Sequence, residues 1–174
     1  PYKVEHYLQN ADDGSYTLAD TDSLTGKTDD SVTAAAKTTY AHYAVNPDAA
    51  GAVPTGTIRA DGSLVLRLYY DLETVTISFD PNGGTLPVSL SGGTKDFRYG
   101  QAFSADAAEQ ADYGFAGWYN GETAFAAGTA VTEALTLTAH WTAGEVSYTV
   151  EHYVMNPDGS YAAAITDPRS GLVD

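Results

Sequence analysis

Apolar and polar residues alternate with a period of two at the start of the chain. The more apolar parity of this stretch consists of Tyr2, Val4, His6 and Leu8. Alternation of this kind is typical of a strand with one buried face, so we expect these side chains to face a core. Asp13-Gly14 is a strong hairpin-turn signal, and residues 15–24 are predicted to form the return strand.

The same hairpin pattern begins again near the carboxyl end. Residues 2–7 read YKVEHY and residues 148–153 read YTVEHY, while residues 10–16 read NADDGSY and residues 156–161 read NPDGSY. The second copy is one residue shorter in the turn, where deletions are tolerated. A two-stranded hairpin is marginally stable alone, so the copy within residues 144–174 is interpreted as the incomplete start of a second module.

The first copy opens a module predicted to span residues 1–73. Asp30 or Ser31 is expected to cap a short helix through residues 34–36. Residues 57–60 are predicted as a short strand, and residues 64–70 as a strong one with a fully apolar face. A hairpin, a short helical connection and a second hairpin favour an α+β, β-rich fold of the ubiquitin-like β-grasp type.

A second small module is predicted over residues 74–143. Val75, Ile77 and Phe79 alternate with polar residues and predict a half-buried strand. A second strand is predicted over residues 95–100, and a last one over residues 135–141. Residues 101–112 are polar and alanine-rich and have weak helical potential.

Composition narrows the classes of partner. The formal net charge is −15, from 23 acidic and 8 basic residues. We therefore expect no nucleic-acid partner and no attraction to an anionic membrane. The chain has no cysteine, which excludes disulfides and thiol catalysis. No apolar run approaches the roughly 20 residues of a membrane-spanning helix, so we expect no membrane insertion within this sequence. Since the chain begins at Pro1 without a leader, it is interpreted as part of a longer protein.

The candidate chemistry is sparse. His6 and His152 occupy equivalent positions of the repeat on the apolar parity, where a structural role is expected. Four neighbouring acids could hint at a calcium site but lack the EF-hand spacing, so they are interpreted as solvated loop acids; they are Asp20, Asp22, Asp29 and Asp30. We therefore predict no catalytic, cofactor-binding or metal-binding residue and no cofactor, and hence no enzyme. Trp118 and Trp141 suit either a carbohydrate platform or a core, and the core is favoured.

Four blocks of the second module resemble the Listeria–Bacteroides repeats, also known as internalin B-repeats. They read VTISFDPNGG (75–84), YGQ (99–101), YGFAGWY (113–119) and VT with LTLTAHW (131–141). The first module resembles the MucBP-type (mucin-binding-protein) repeats of Gram-positive surface proteins. Its matching segments include YKVEHY (2–7), DGSY (13–16) and DGSLVL (61–66). The resemblances imply β-grasp folds and a large extracellular protein attached to the cell surface or cell wall.

Two functions remain open from the sequence. The leading one is a non-catalytic repeat region of a secreted or cell-wall-attached bacterial surface protein, acting as a stalk or as a weak multivalent adhesin. Its expected partners are host or neighbour-cell glycans or glycoproteins. The alternative is an accessory region of a secreted polysaccharide-active enzyme. The hairpin at residues 145–174 is also expected to associate with another molecule, or with a second copy of the chain, by strand pairing.

Overall fold

A computed structural model describes residues 1–173 of the chain, and nearly every regular element in it is a β-strand. The strands are β1 (Tyr2–Gln9), β2 (Tyr16–Leu24), β3 (Ser31–Thr33), β4 (Tyr43–Val45), β5 (Thr55–Thr57), β6 (Val65–Leu72), β7 (Thr74–Asp80), β8 (Thr94–Arg98), β9 (Tyr113–Asn120), β10 (Thr123–Ala124), β11 (Leu135–Ala143), β12 (Glu145–His152) and β13 (Ile165–Leu172). One 3-10 turn, Val88–Leu90, is the remaining element of these residues.

The expected α+β, β-grasp fold is wrong, because that fold needs a helix and residues 1–173 form none longer than the 3-10 turn. In the segment predicted as a capped helix, residues 31–33 instead form β3, which pairs antiparallel with β5, and residues 34–36 have no regular structure. Val32 and Thr33 are β-branched and favour an extended backbone, and three alanines are too few to nucleate a helix. Residues 101–112 also lack a helix and make only isolated bridges.

The strands form four sheets. Their orders are β2-β1-β6-β4, β10-β9-β11-β7-β8, β12-β13 and β3-β5. The chain packs into two compact units that alternate along the sequence. One unit comprises residues 1–77, 96–104 and 127–134, and the other comprises residues 78–95, 105–126 and those from 135 onward. The module boundaries drawn from the sequence stay predictions.

The first unit is built around β1. This strand pairs antiparallel with β2 on one edge and parallel with β6 on the other. The predicted inward parity is confirmed, because Val4 and His6 are 1% and 0% exposed. The apolar face of β6 lies against them, and the shared core consists of Val4, Leu66, Leu68 and Tyr70. The alternating pattern thus locates this core correctly, while the parallel pairing of β1 with β6 has no local sequence signal.

The core of the second unit contains Trp118, which is 4% exposed. Its ring meets Phe79 and Phe115 edge-on, with centroids 4.8 and 5.4 Å away, and its indole N–H donates to the Asp106 carbonyl at 3.0 Å. Trp141 lies against Gly84, where a Cβ atom would come within 2.4 Å of the indole ring. Glycine is therefore required at position 84 for this packing.

The second copy of the repeat forms the antiparallel hairpin β12-β13 with eight residue pairs, from Glu145–Leu172 to His152–Ile165. Position 174, the last of the predicted partial module, lies outside the described residues. No helix among the described residues is long and apolar enough to cross a membrane.

Candidate functional site

A polar network is enclosed in the core of the first unit, and His6 is its centre. His6 Nδ1 lies 2.8 Å from the Tyr70 hydroxyl, and His6 Nε2 lies 3.1 Å from Asp22 Oδ2. His6 is fully buried and Tyr70 is 1% exposed. Alternation along β1 and β6 turns both side chains inward, and the antiparallel register of β2 opposite β1 brings Asp22 to the imidazole.

The hydrogen-bond partners of His6 define its tautomer. The Asp22 carboxylate only accepts hydrogen bonds, so His6 Nε2 donates to it. In a neutral imidazole Nδ1 then accepts, so the Tyr70 hydroxyl donates to His6 Nδ1 while its oxygen accepts a hydrogen bond from the Lys37 backbone N–H at 3.0 Å. A neutral imidazole therefore satisfies both of its ring nitrogens, as a buried polar group requires.

Lys37 closes the network at the surface. Its ammonium donates to Asp22 Oδ1 at 2.9 Å and also to Asp20. These hydrogen bonds hold the pKa of both carboxyl groups below the usual value for aspartate, and the two carboxylates raise the pKa of Lys37. Asp20 and Asp22 lie in β2, so the interpretation that all four nearby acids belong to a solvated loop is wrong for these two.

Two tyrosines border the imidazole. Burial raises the pKa of both Tyr40 and Tyr70, because a phenolate loses its hydration there. The Tyr40 ring stands edge-on to Tyr70 with centroids 5.1 Å apart, and its buried hydroxyl has no hydrogen-bond partner among the described atoms. Asp, His and Tyr in series resemble a proton relay, yet His6 and Tyr70 are closed to solvent. The buried part of the network therefore stabilises the fold of the first unit.

A groove beside the first hairpin turn of the first unit is open to solvent and has a volume of about 560 Å³. Its aromatic side is the His42 ring stacked on Tyr99, with centroids 3.6 Å apart and planes 7° from parallel. Asp12 and Asp13 line the groove from the turn. His42 Nδ1 is 3.0 Å from Glu73 Oε2. Aromatic rings next to carboxylates suit a polar ligand that also has an apolar face, such as a sugar ring.

A row of tyrosines covers the opposite face of the first sheet. Tyr7 stacks on Tyr69, with centroids 4.8 Å apart and planes at 12°, and Tyr16 meets Tyr69 edge-on at 5.0 Å. Glu5 accepts hydrogen bonds from the Tyr7 hydroxyl and from Arg67 Nε, both at 3.0 Å. Tyr69 and Arg67 lie in β6, whereas Glu5, Tyr7 and Tyr16 lie in the first hairpin. These contacts therefore join β6 to the hairpin.

The singled-out residues thus have different surroundings. His6 is buried in the network, whereas His152, its counterpart in the repeat, is exposed. Asp29 lies in a turn with a positive φ of 69°, and its N–H donates to the Ile58 carbonyl. No cluster of three or more metal-ligating side chains occurs within residues 1–173. Sequence patterns did not predict that Lys37 and Tyr40 belong to the buried network or that Tyr99 lines the groove. The partners of these residues lie far away along the chain.

No known protein-family model matches this chain, and no curated protein matches its sequence. The resemblances to MucBP-type and internalin B-type repeats therefore stay predictions based on the motifs.

Proposed function

We propose that this chain is a non-catalytic repeat region of a secreted or cell-wall-attached bacterial surface protein, in which it acts as a stalk. The observation that most supports this proposal is the arrangement of β1 and β6 in the first unit. These strands are parallel neighbours through six residue pairs, from Lys3–Val65 to Leu8–Tyr70. The repeated hairpin and the formal charge of −15, which favours solubility, agree with a repetitive extracellular region.

The parallel pairing has a mechanical consequence. The chain enters β1 at one end of the strand pair and leaves β6 at the other end, about 20 Å away at roughly 3.3 Å per residue. Tension between these two points is directed along the strands, so it loads the hydrogen bonds of the pair together. Forced unfolding depends on the unfolding rate, and breaking many bonds at once makes that rate low. A module of this kind suits a stalk under tension.

Single-molecule pulling in two directions tests the stalk function. Because the chain has no cysteine, single cysteines introduced as Ser63→Cys or Thr74→Cys give unique attachment points on exposed residues. Pulling the full chain between residue 1 and position 74 shears β1 from β6, whereas pulling between residue 1 and position 63 unzips them. We expect a clearly higher unfolding force in the shear direction. Equal low forces in both directions would contradict the stalk function.

The groove supports weak adhesion as a second function. Its stacked His42–Tyr99 pair and the carboxylates of Asp12 and Asp13 offer a sugar both an apolar face and hydrogen-bond acceptors. A glycan array and a mucin pull-down with the full chain test this, with Tyr99→Ala as the variant that removes half of the stack. We expect weak binding that Tyr99→Ala abolishes. Binding to neither target would leave only the stalk function.

A further inference from the structure

The two copies of the repeat have the same hairpin but different neighbours. In the first copy, the edge of β1 that does not pair with β2 is occupied by β6. In the second copy, β12 pairs only with β13 within the described residues, so its equivalent edge carries no strand. The first copy therefore shows which kind of strand can pair with this edge of the hairpin, and β6 is a guide to what could bind to the second copy.

The strand pairing of the two hairpins is equivalent. His6 pairs with Asp20 in the first, and His152 pairs with Ile165 in the second. The next positions along β2 and β13 repeat as well: Thr21-Asp22 corresponds to Thr166-Asp167. The similarity of the two copies therefore extends over both strands of the hairpin and is not limited to the VEHY segment. β12 has the same strand register to its partner as β1, the strand that pairs with β6.

The side chains that contact β6 in the first copy are also repeated. Glu5, which binds Arg67, corresponds to Glu151, and Tyr7, which stacks on Tyr69, corresponds to Tyr153. The Tyr153 hydroxyl donates to Glu151 Oε2 at 2.7 Å, as the Tyr7 hydroxyl donates to Glu5. The polar Glu–Tyr pair of the first copy is thus repeated at the end of β12 and in the residue that follows it.

The apolar side of this surface is exposed. Tyr148 (51%) and Val154 (61%), which have the inward parity of Val4 and His6, are at least half exposed. So are five large side chains elsewhere on the hairpin and its loop; they are Tyr153 (56%), Met155 (62%), Tyr161 (65%), Ile165 (66%) and Leu172 (67%). In the first copy, Val4 at the corresponding inward parity is covered by Leu66 and Leu68. A strand with alternating apolar residues would cover the same parity of β12.

We propose that the outer edge of β12 binds an extended segment in parallel register, with the chemistry of residues 64–70. Such a segment carries apolar residues at alternate positions for the inner face. It places an arginine opposite Glu151, a tyrosine opposite Tyr153 and a second tyrosine one residue later, within reach of His152. The register follows that of β1 with β6, in which Glu5 pairs with Arg67 and Tyr7 with Tyr69. The inference rests on the repeat and stands independently of the stalk function.

A peptide of residues 63–72, SLVLRLYYDL with capped ends, tests the proposal on the full chain. Binding is measured by fluorescence anisotropy, and its location is mapped by amide NMR shifts. We expect saturable binding with the largest shifts at Thr149, Glu151 and Tyr153, whose amides correspond to those on the β6 edge of β1. Absence of binding up to about 1 mM peptide would overturn the proposal. Shifts confined to residues outside 145–172 would do so as well.

Reversing the charge of Glu151 distinguishes binding in the proposed register from non-specific binding of an apolar peptide. Glu151→Arg is expected to weaken binding about three- to fivefold, the range for a partly exposed ion pair. Glu145→Arg is the matched control on the same strand, outside the β6-equivalent register, and should change binding less than about twofold. The Arg67→Glu peptide should bind the Glu151→Arg chain better than the unmodified chain. Equal effects of both substitutions would contradict the proposed register.

Self-association is the competing occupant of this edge. Sedimentation velocity of the chain with and without peptide distinguishes the two. A monomer that binds peptide supports the proposal. A dimer that Glu151→Arg dissociates and that peptide fails to dissociate would show that a second copy occupies the edge, and the proposal would then be wrong.

Discussion

The two hairpins of this chain show what a sequence motif determines by itself and what its neighbours determine. In both turns, an asparagine N–H donates to a serine carbonyl at 2.7 Å, from Asn10 to Ser15 and from Asn156 to Ser160. In both, the serine N–H donates to an aspartate side chain at 2.9 Å. The deletion of one residue leaves this pattern intact. The turn is therefore determined locally by its Asn, Asp, Gly and Ser residues.

The two copies of the hairpin differ in how deeply their side chains are buried. Val4 and His6 are 1% and 0% exposed, whereas Val150 is only half-buried and His152 is exposed. The difference follows from β6, which covers the first copy and has no counterpart beside the second within the described residues. Similar sequences thus contribute to stability in one place and present a surface in the other.

The largest expected difference concerns the two histidines. His6→Ala should destabilise the first unit by about 2–4 kcal/mol, because it leaves a cavity and removes the partners of buried Tyr70 and of Asp22. His152→Ala should change stability by less than about 0.5 kcal/mol. Urea titrations followed by amide NMR measure both values. Similar losses for the two variants would show that the second hairpin is as tightly packed as the first.

The paired valines should give a smaller difference. Val4→Ala is expected to cost about 1.5–3 kcal/mol, since it removes buried methyl groups from the core with Leu66 and Leu68. Val150→Ala should cost less than about 1 kcal/mol. The same urea titrations check this pair, and a larger cost at Val150 would contradict the account of burial.

Substituting the turn glycines should have a similar effect on local stability in the two copies. Gly14 and Gly159 have positive φ values of 69° and 85°, so alanine at either position should cost about 1 kcal/mol in local stability. At Gly14 a Cβ atom would also meet the Arg98 guanidinium at 2.4 Å, whereas at Gly159 nothing lies within 4 Å. Amide hydrogen exchange at the turns measures both costs. No cost at Gly159 would mean that its turn is formed differently in solution.

The smallest expected effect is the pH dependence that Lys37 causes in the first copy. The pKa values of Asp20 and Asp22 are lowered by Lys37 in the folded chain, so their stabilisation is complete above the unfolded pKa of about 3.9. It is lost as the pH falls through the lower folded values. Lys37→Met should make the acid-induced loss of stability shallower in urea titrations below about pH 4. An unchanged slope would show that Lys37 does not control these carboxyl groups.

Sequence patterns predicted the features that depend on near neighbours. Alternation identified the inward parity of β1 and β6, and Asp13-Gly14 marked the first turn. The helix expected near residues 34–36 was wrong because pairing of β3 with β5, more than twenty residues away, determines that segment. Lys37 and Tyr40 reach His6 and its partners only through the fold, and the groove with Tyr99 forms in the same way. Such contacts have no signal in a single sequence.

Residue-specific amide exchange on the full chain tests the central difference most directly. Lys3 N–H donates to the Leu64 carbonyl at 3.0 Å, and alternation places the amides of Glu5 and Tyr7 on the same edge of β1. Their counterparts are the amides of Glu151, on the outer edge of β12, and of Tyr153, which directly follows the last residue of that strand. The account predicts exchange at least about a hundredfold faster at Glu151 and Tyr153 than at Glu5 and Tyr7. Equal protection of the two sets in a monomeric sample would contradict it.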